Sequence, residues 1–231
     1  LAMIDSSIGG KTGVDTTAGK NLVGAFHRPR AVIVDPSSLA TLPVAQLRSG
    51  AAEAIKHGAI ADAAYYASVD SSLPELFRAP AGDAMRALIV RSVEIKASVV
   101  KLDERENGVR RILNFGHTLG HAIEAESGYR LLHGEAVAIG MVLEARLGER
   151  LGTTAAGTAQ RLRDTVQRAG LPAELPAELD AARILAATRG DKKAREGVTE
   201  YALLEKIGSA KAGVRAPDDM VLSVLRDRRG S

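Results

Sequence analysis

No cysteine and no tryptophan occur among the 231 residues. Without thiols the chain can form neither disulfides nor a thiolate metal site, so any metal must be held by histidine and carboxylate. Aromatic residues make up only 3%, too few to bind nucleic acid by base stacking. The basic residues are dispersed except in the closing LRDRRGS, so no basic stripe supports such a partner either. No apolar run approaches a membrane span, and no charged-then-apolar signal segment opens the chain. A cytoplasmic protein with no nucleic-acid or membrane partner is expected.

What is present suits a helical fold. Hydrophobic residues reach 45% and charged residues 26%, with a net charge of only +3, enough to bury one large core or two smaller ones. Abundant Ala, Leu, Val and Ile favour packed helices over a β-sandwich. AVIVDP (31–36) reads as one buried strand closed by Asp-Pro. Helical patterns follow at 44–59, 61–69 and 82–103. On the third, Met85, Ile89, Val93 and Val100 share a face with Lys96, an inward-pointing lysine that invites a function. Asn107-Gly108 marks a loop or short ribbon over 104–113. Helices are expected at 116–126, at 134–150 (apolar enough to be central), at 155–169 and at 178–188. The segment from Val198 reads as a two-stranded hairpin, and PDDMVLSVLRDR as a closing helix with an acidic first turn.

DSSIGGKTG (5–13) looks like a nucleotide-binding P-loop, but Asp5 stands where that loop needs its first glycine. A carboxylate there would repel phosphate, and Leu1-Ala2-Met3-Ile4 is too short for the preceding strand. The nucleotide-triphosphatase reading is set aside.

Three of the five histidines, His117, His121 and His133, fall within seventeen residues. His117 and His121 are one helical turn apart, a spacing used when one helix gives two imidazoles to a divalent metal. His133 beside Gly134 could join them, and spacing alone does not say which of the three bind. Glu53 in AAEAIKHG could supply negative charge. Taken alone, Glu53 and Lys56 read as an exposed i, i+3 ion pair, although Ser49 and Ile60 share their stripe.

Together, DSSIGGKTGVD, GKNLVGAFHRP, AAEAIKHG, NFGHTLGHAIE, LHGEAVAIGM and RGDKK, in this order and at these separations, resemble the 3-dehydroquinate synthases of the sugar phosphate cyclase superfamily. The resemblance covers nearly the whole chain. It implies an N-terminal α/β NAD-binding domain followed by a mainly helical metal- and substrate-binding domain, here residues 1–42 as the end of the first and 43–231 as the second. The glycine-rich dinucleotide turn would lie upstream of Leu1, so an N-terminal part is expected to be missing and the chain alone inactive.

The resemblance also implies the site. Its metal ligands would be Glu53, His117 and His133, which places His121 in the pocket but off the metal. Asp5, Asn21, Lys56, Lys96, Glu106, Arg110, Asn114 and His121 match substrate-pocket positions, and so does Lys192 or Lys193. Lys11, Lys20, Ser38, Leu39, Ala40 and Thr41 match positions that touch NAD. The cofactors implied are NAD and one divalent ion, zinc or cobalt, in a homodimer. The reaction implied turns 3-deoxy-arabino-heptulosonate 7-phosphate into 3-dehydroquinate and phosphate, a step toward aromatic amino acids in the shikimate pathway. Alternatives are a related cyclase, a metal- and NAD-dependent polyol dehydrogenase, or a non-catalytic helical scaffold. Asn114, His121 and the Asp-Lys-Lys stretch favour the first reading, while Thr199-Glu200-Tyr201 departs from the apolar, proline-bearing hairpin expected of the family.

Overall fold

The computed structural model describes residues 1–16, 19–190 and 199–227. Among them the protein is mainly α, with eight helices and two separate two-stranded antiparallel ribbons. A single π-turn at Ala2–Ser6 leads into the first ribbon, β1 (Lys11–Thr16) and β2 (Gly19–Phe26). The helices are α1 (Val44–Ala61), α2 (Ala63–Arg78), α3 (Asp83–Leu102), α4 (His117–Glu126), α5 (His133–Arg150), α6 (Thr158–Arg168), α7 (Ala181–Gly190) and α8 (Asp218–Arg226). The second ribbon, β3 (Glu200–Lys206) and β4 (Ser209–Arg215), lies between α7 and α8. No helix among the described residues is long and apolar enough to cross a membrane.

Helix α5 is buried along most of its length because two cores meet on it. Val137, Ala138, Met141, Val142 and Ala145 pack into a core shared with α1, α2, α3 and α6. Ala136, Ile139, Leu143 and Leu147 face a second core shared with α4, α7 and α8. Strand β3 divides its side chains similarly, Ala202 and Leu204 into the first core and Tyr201 and Leu203 into the second, as the two-residue period of a strand requires. Helix α1 is buried almost all round from Leu47 to Ile60. Its Gly, Ala and Ser positions let neighbouring backbones come close.

Two expectations need correction. Residues 31–35 form no strand: among the described residues no strand is available to pair with them, and Ile33 is 94% exposed. Pro36 instead opens a 3-10 turn, Pro36–Thr41, capped by the Asp35 carboxylate accepting from the Ser37 amide at 2.9 Å. Helix α2 runs through Pro74 to Arg78. Burying Leu73 and Leu76 offsets the roughly 3 kcal/mol that an interior proline costs. Of the two alternatives for 104–113, the loop is found, ending in a 3-10 turn, Val109–Asn114, while the ribbon β1–β2 was not expected.

Candidate metal centre and active site

The histidines of NFGHTLGH and LLHGE stand where two helices begin, His117 as the first residue of α4 and His133 as the first of α5. Both helix starts lie against the middle of α1, where Glu53 is fully buried. Glu53 Oε1 lies 3.4 Å from His117 Nε2 and 3.4 Å from His133 Nε2. The other nitrogen of each ring is occupied. His117 Nδ1 lies 3.1 Å from the Phe115 carbonyl, and His133 Nδ1 lies 3.4 Å from Glu124 Oε2. Donating Nδ1–H to these acceptors would free each Nε2 to offer its lone pair to an ion, the usual support behind a metal-binding imidazole. Without one, burial pushes the His133 imidazole down but hydrogen bonds to Glu124 and Glu53 prevail and raise it to about 9, so its Nε2–H rests on Glu53.

These residues fit a divalent ion. Bonds of about 2.0–2.1 Å in tetrahedral geometry put neighbouring donor atoms about 3.3 Å apart, close to the two observed separations. Glu53 Oε1 faces only these two ring nitrogens, and Lys56 pairs with the other oxygen, so Oε1 is the buried carboxylate oxygen open to a cation. Burial pushes the Glu53 carboxyl up, yet Lys56 and the two histidines outweigh it and hold the group well below the usual range. Donor atoms of His117, His121 and His133 also fall within 4.8 Å of one another. Glu53 would bring negative charge to such a site, through an oxygen equidistant from His117 and His133. His121 stays in ring contact, its centroid 5.2 Å from His117 and 5.8 Å from His133.

Beside this centre sits a charged knot. Lys56 Nζ lies 2.5 Å from Glu53 Oε2 and 3.9 Å from Asp5 Oδ1, and Lys96 Nζ lies 2.7 Å from the same Asp5 oxygen. Burial and Glu53 push the Asp5 carboxyl up, but Lys56, His57 and Lys96 prevail and keep it ionised. Burial lowers both amines, but Glu53 and Asp5 overcome this at Lys56, whose pKa ends raised. At Lys96 burial, helped by Lys56, prevails over Asp5 and the pKa ends lowered. Lys96 is therefore the amine that gives up its proton more readily. Donor atoms of Asp5, Glu53 and His57 also converge within 4.8 Å, but the two ammonium groups already fill that space and would repel a cation.

The remaining predicted residues divide. Asn114 donates to Glu106 Oε1 at 2.7 Å, and Lys11 pairs with the other Glu106 oxygen. Glu106 has a left-handed backbone, φ 60°, which costs a non-glycine residue about 1 kcal/mol. Arg110 is buried, donating to the Gly9 carbonyl at 3.0 Å and to the Glu104 carbonyl, so it ties the glycine turn to the Glu106 loop. Ser38 and Leu39 line a separate apolar cavity of about 340 Å³ with Met3, Leu47, Phe77 and Met85; Ala40 and Thr41 complete the 3-10 turn. No charged side chain lines that cavity. Lys20 and Asn21 lie on β2 with side chains outside the described residues, and Lys192 and Lys193 lie outside them altogether.

The exposed-pair reading of Glu53 and Lys56 is wrong, since both are buried, Glu53 against the starts of α4 and α5 and Lys56 beside Asp5. Sequence reasoning missed His57, whose Nδ1 lies 2.6 Å from Ser92 Oγ and whose Nε2 lies 3.5 Å from Asp5. It also missed Glu144, buried within an otherwise apolar stretch of α5. A charge inside GMVLEARLG was the available signal.

Fold and site together define a helical domain in which a buried carboxylate and two imidazoles converge closely enough to share one divalent ion. The sequence pattern of the 3-dehydroquinate synthase C-terminal domain matches residues 50–194, and that of the N-terminal domain matches residues 1–49. The chain belongs to the 3-dehydroquinate synthase family. A curated 3-dehydroquinate synthase of Nostoc punctiforme is 44% identical over 229 residues, 98% of this chain but 63% of that relative. Among solved structures, the chain resembles ValA, a 2-epi-5-epi-valiolone synthase from Streptomyces hygroscopicus subsp. jinggangensis with NAD+ and Zn2+ bound (29% identity, TM-score 0.88, 97% of this chain and 62% of that one). It also resembles 2-deoxy-scyllo-inosose synthase complexed with carbaglucose-6-phosphate, NAD+ and Co2+ (26% identity, TM-score 0.83, 97% and 64%). The chain thus spans less than two thirds of each of these proteins.

Proposed function

We propose that this chain is the metal- and substrate-binding part of a 3-dehydroquinate synthase, with residues 1–42 belonging to the end of an NAD-binding domain and 43–231 to the helical domain. The family membership and the 44% identical relative support the reaction: 3-deoxy-arabino-heptulosonate 7-phosphate is oxidised, loses phosphate, is reduced again and closes by aldol addition to 3-dehydroquinate. The observation that carries the reading is the 3.4 Å approach of Glu53 Oε1 to both His117 Nε2 and His133 Nε2. Those three residues would hold zinc or cobalt, and NAD would lie against Lys11, Lys20 and Ser38–Thr41. When bound, the metal supplies a Lewis acid at the substrate's hydroxyls, and NAD takes up and returns a hydride.

The chain's own part is positioning and electrostatics. Lys56, held protonated by Glu53 and Asp5, supplies fixed positive charge for a substrate that carries carboxylate and phosphate. Lys96, whose ammonium form burial disfavours, lies beside Lys56, and ionised Asp5 can accept a hydrogen bond from a hydroxyl. The resemblance assigns Asn114, Glu106, Arg110 and His121 to the same pocket, and with them Asn21 and Lys192, whose side chains lie outside the described residues. Homodimer formation and a cytoplasmic location belong to the same proposal.

The test is phosphate release from the seven-carbon sugar phosphate, by a chain extended to the relatives' full length. Release and a quinate-ring product are expected, with loss on chelation and in Glu53→Ala. Turnover only of an unphosphorylated polyol, or of a different sugar phosphate, would move the protein to a related cyclase or dehydrogenase. Release that survives both chelator and substitution would refute the metal assignment.

A further inference from the structure

Both ligand-bearing helices begin at residues whose own side chains cannot cap them. Helix α4 is preceded by Gly116 in the left-handed region, φ 78°. No side chain could stand there, because a Cβ at Gly116 would meet Met141 Cγ at 2.4 Å and the Val137 carbonyl oxygen at 3.0 Å. A Cβ at Gly140, across the same contact, would come within 2.1 Å of the Gly116 carbonyl oxygen. The close seating of α4 on α5 brings His117 near His133, and it removes the usual Ser, Thr, Asp or Asn cap.

The cap comes from the other helix. Glu144 of α5, fully buried, accepts from the Gly116 amide at 2.7 Å through Oε2 and from the Leu119 amide at 3.0 Å through Oε1. A buried carboxylate is costly unless its oxygens are satisfied. Here two amides at the positive end of a helix compensate it. Helix α5 is held likewise, its Gly134 amide donating to Ser49 Oγ of α1 at 3.0 Å. Thus α1 steadies the residue after His133, and α5 brackets His117 between its two bonds.

We propose that Glu144 is a positioning residue of the metal centre, fixing the first turn of α4 so that His117 Nε2 meets Glu53 Oε1 and His133 Nε2 at ligand distance. This rests on the metal reading above. A metal tolerates donor displacements of only about 0.2 Å, so a cap that fixes the helix start acts on affinity and not merely on stability.

The experiment is a cobalt titration of the chain and of Glu144→Gln, followed by visible absorption, with ring signals of His117 and His57 read by NMR before metal is added. The carboxamide keeps the volume but turns an N–H donor toward one of the two amides. Expected are a fold unchanged by circular dichroism, cobalt affinity weakened about 10- to 100-fold, and a shifted His117 signal beside an unshifted His57. Unchanged affinity would overturn the proposal, as would weakened affinity without a shift at His117 or with an equal shift at His57. Should Glu144→Gln not fold, Glu144→Asp, which keeps the charge but falls one methylene short, is read by the same criteria. Failure of the unsubstituted chain to bind cobalt would remove the metal reading itself, and the positioning role with it.

Discussion

Replacing Gly134 with alanine should destabilise the protein although alanine is the better helix former. A methyl group there would stand 2.0 Å from the Ser49 carbonyl oxygen and 2.6 Å from the carbonyl carbon. These are backbone atoms of α1 and cannot swing aside. Restoring an ordinary contact of 3.4 Å requires the two helices to part by about 1.4 Å at this point. Helix propensity favours alanine by about 1 kcal/mol at most. Overpacking costs about 1–3 kcal/mol, and stretching the bond from the Gly134 amide to Ser49 Oγ costs about 1 kcal/mol more. The net expectation is a loss of about 2 kcal/mol. The same movement would carry His133 Nε2 from 3.4 Å to about 4.8 Å from Glu53 Oε1, too far to share an ion, so cobalt affinity should fall at least about 10-fold. Urea denaturation and a cobalt titration of Gly134→Ala measure the two effects. A variant as stable as the parent and equal in cobalt affinity would refute the packing argument.

Lys56→Met should act in opposite directions on stability and metal binding. It leaves Glu53 without its nearest cation, costing the metal-free chain about 3 kcal/mol by denaturation, but it also removes the ammonium group that competes for Glu53. Cobalt affinity should hold or rise, and a fall would contradict the assigned roles. Asp62 caps α2 by accepting from the Tyr65 amide at 2.9 Å and pairs with Arg91, so Asp62→Ala should cost about 1 kcal/mol near neutral pH. Its backbone bond to Tyr65 holds the Asp62 carboxyl below its usual value. The stabilisation is therefore complete above about pH 4 and lost as pH falls through the lower folded-state value. Melts across that range should show parent and variant converging in acid, and a gap that persists there would contradict the assignment.

Most of the helical order was legible because apolar residues recur at helical spacing and Gly, Pro or Asn punctuates the ends, as at Asn107-Gly108 and Gly152. Lys96 on the apolar face of α3 was legible for the same reason, and it proved to be buried against Asp5. The extended 31–35 segment was not, because β-branched composition reports a preference for pairing and not the presence of a partner strand. Ribbon β1–β2 escaped notice because Gly13, Gly19 and Gly24 interrupt its alternation. Among site residues, the histidine cluster was visible by density alone. Spacing favoured joining His117 to His121, since it reports neighbours on one helix and cannot see Glu53 arriving from α1. Glu144 stood out as a charge in an apolar stretch, but its role did not, because its partners are backbone amides, which carry no sequence signature.

The central claim is that Glu53, His117 and His133 hold one divalent cation. Its most direct test is anomalous diffraction at the cobalt edge from crystals of the chain grown with cobalt. The account predicts a single strong peak within about 2.2 Å of Glu53 Oε1, His117 Nε2 and His133 Nε2. A peak bound by His117, His121 and His133 with Glu53 left on Lys56, or no peak among these side chains, would contradict it.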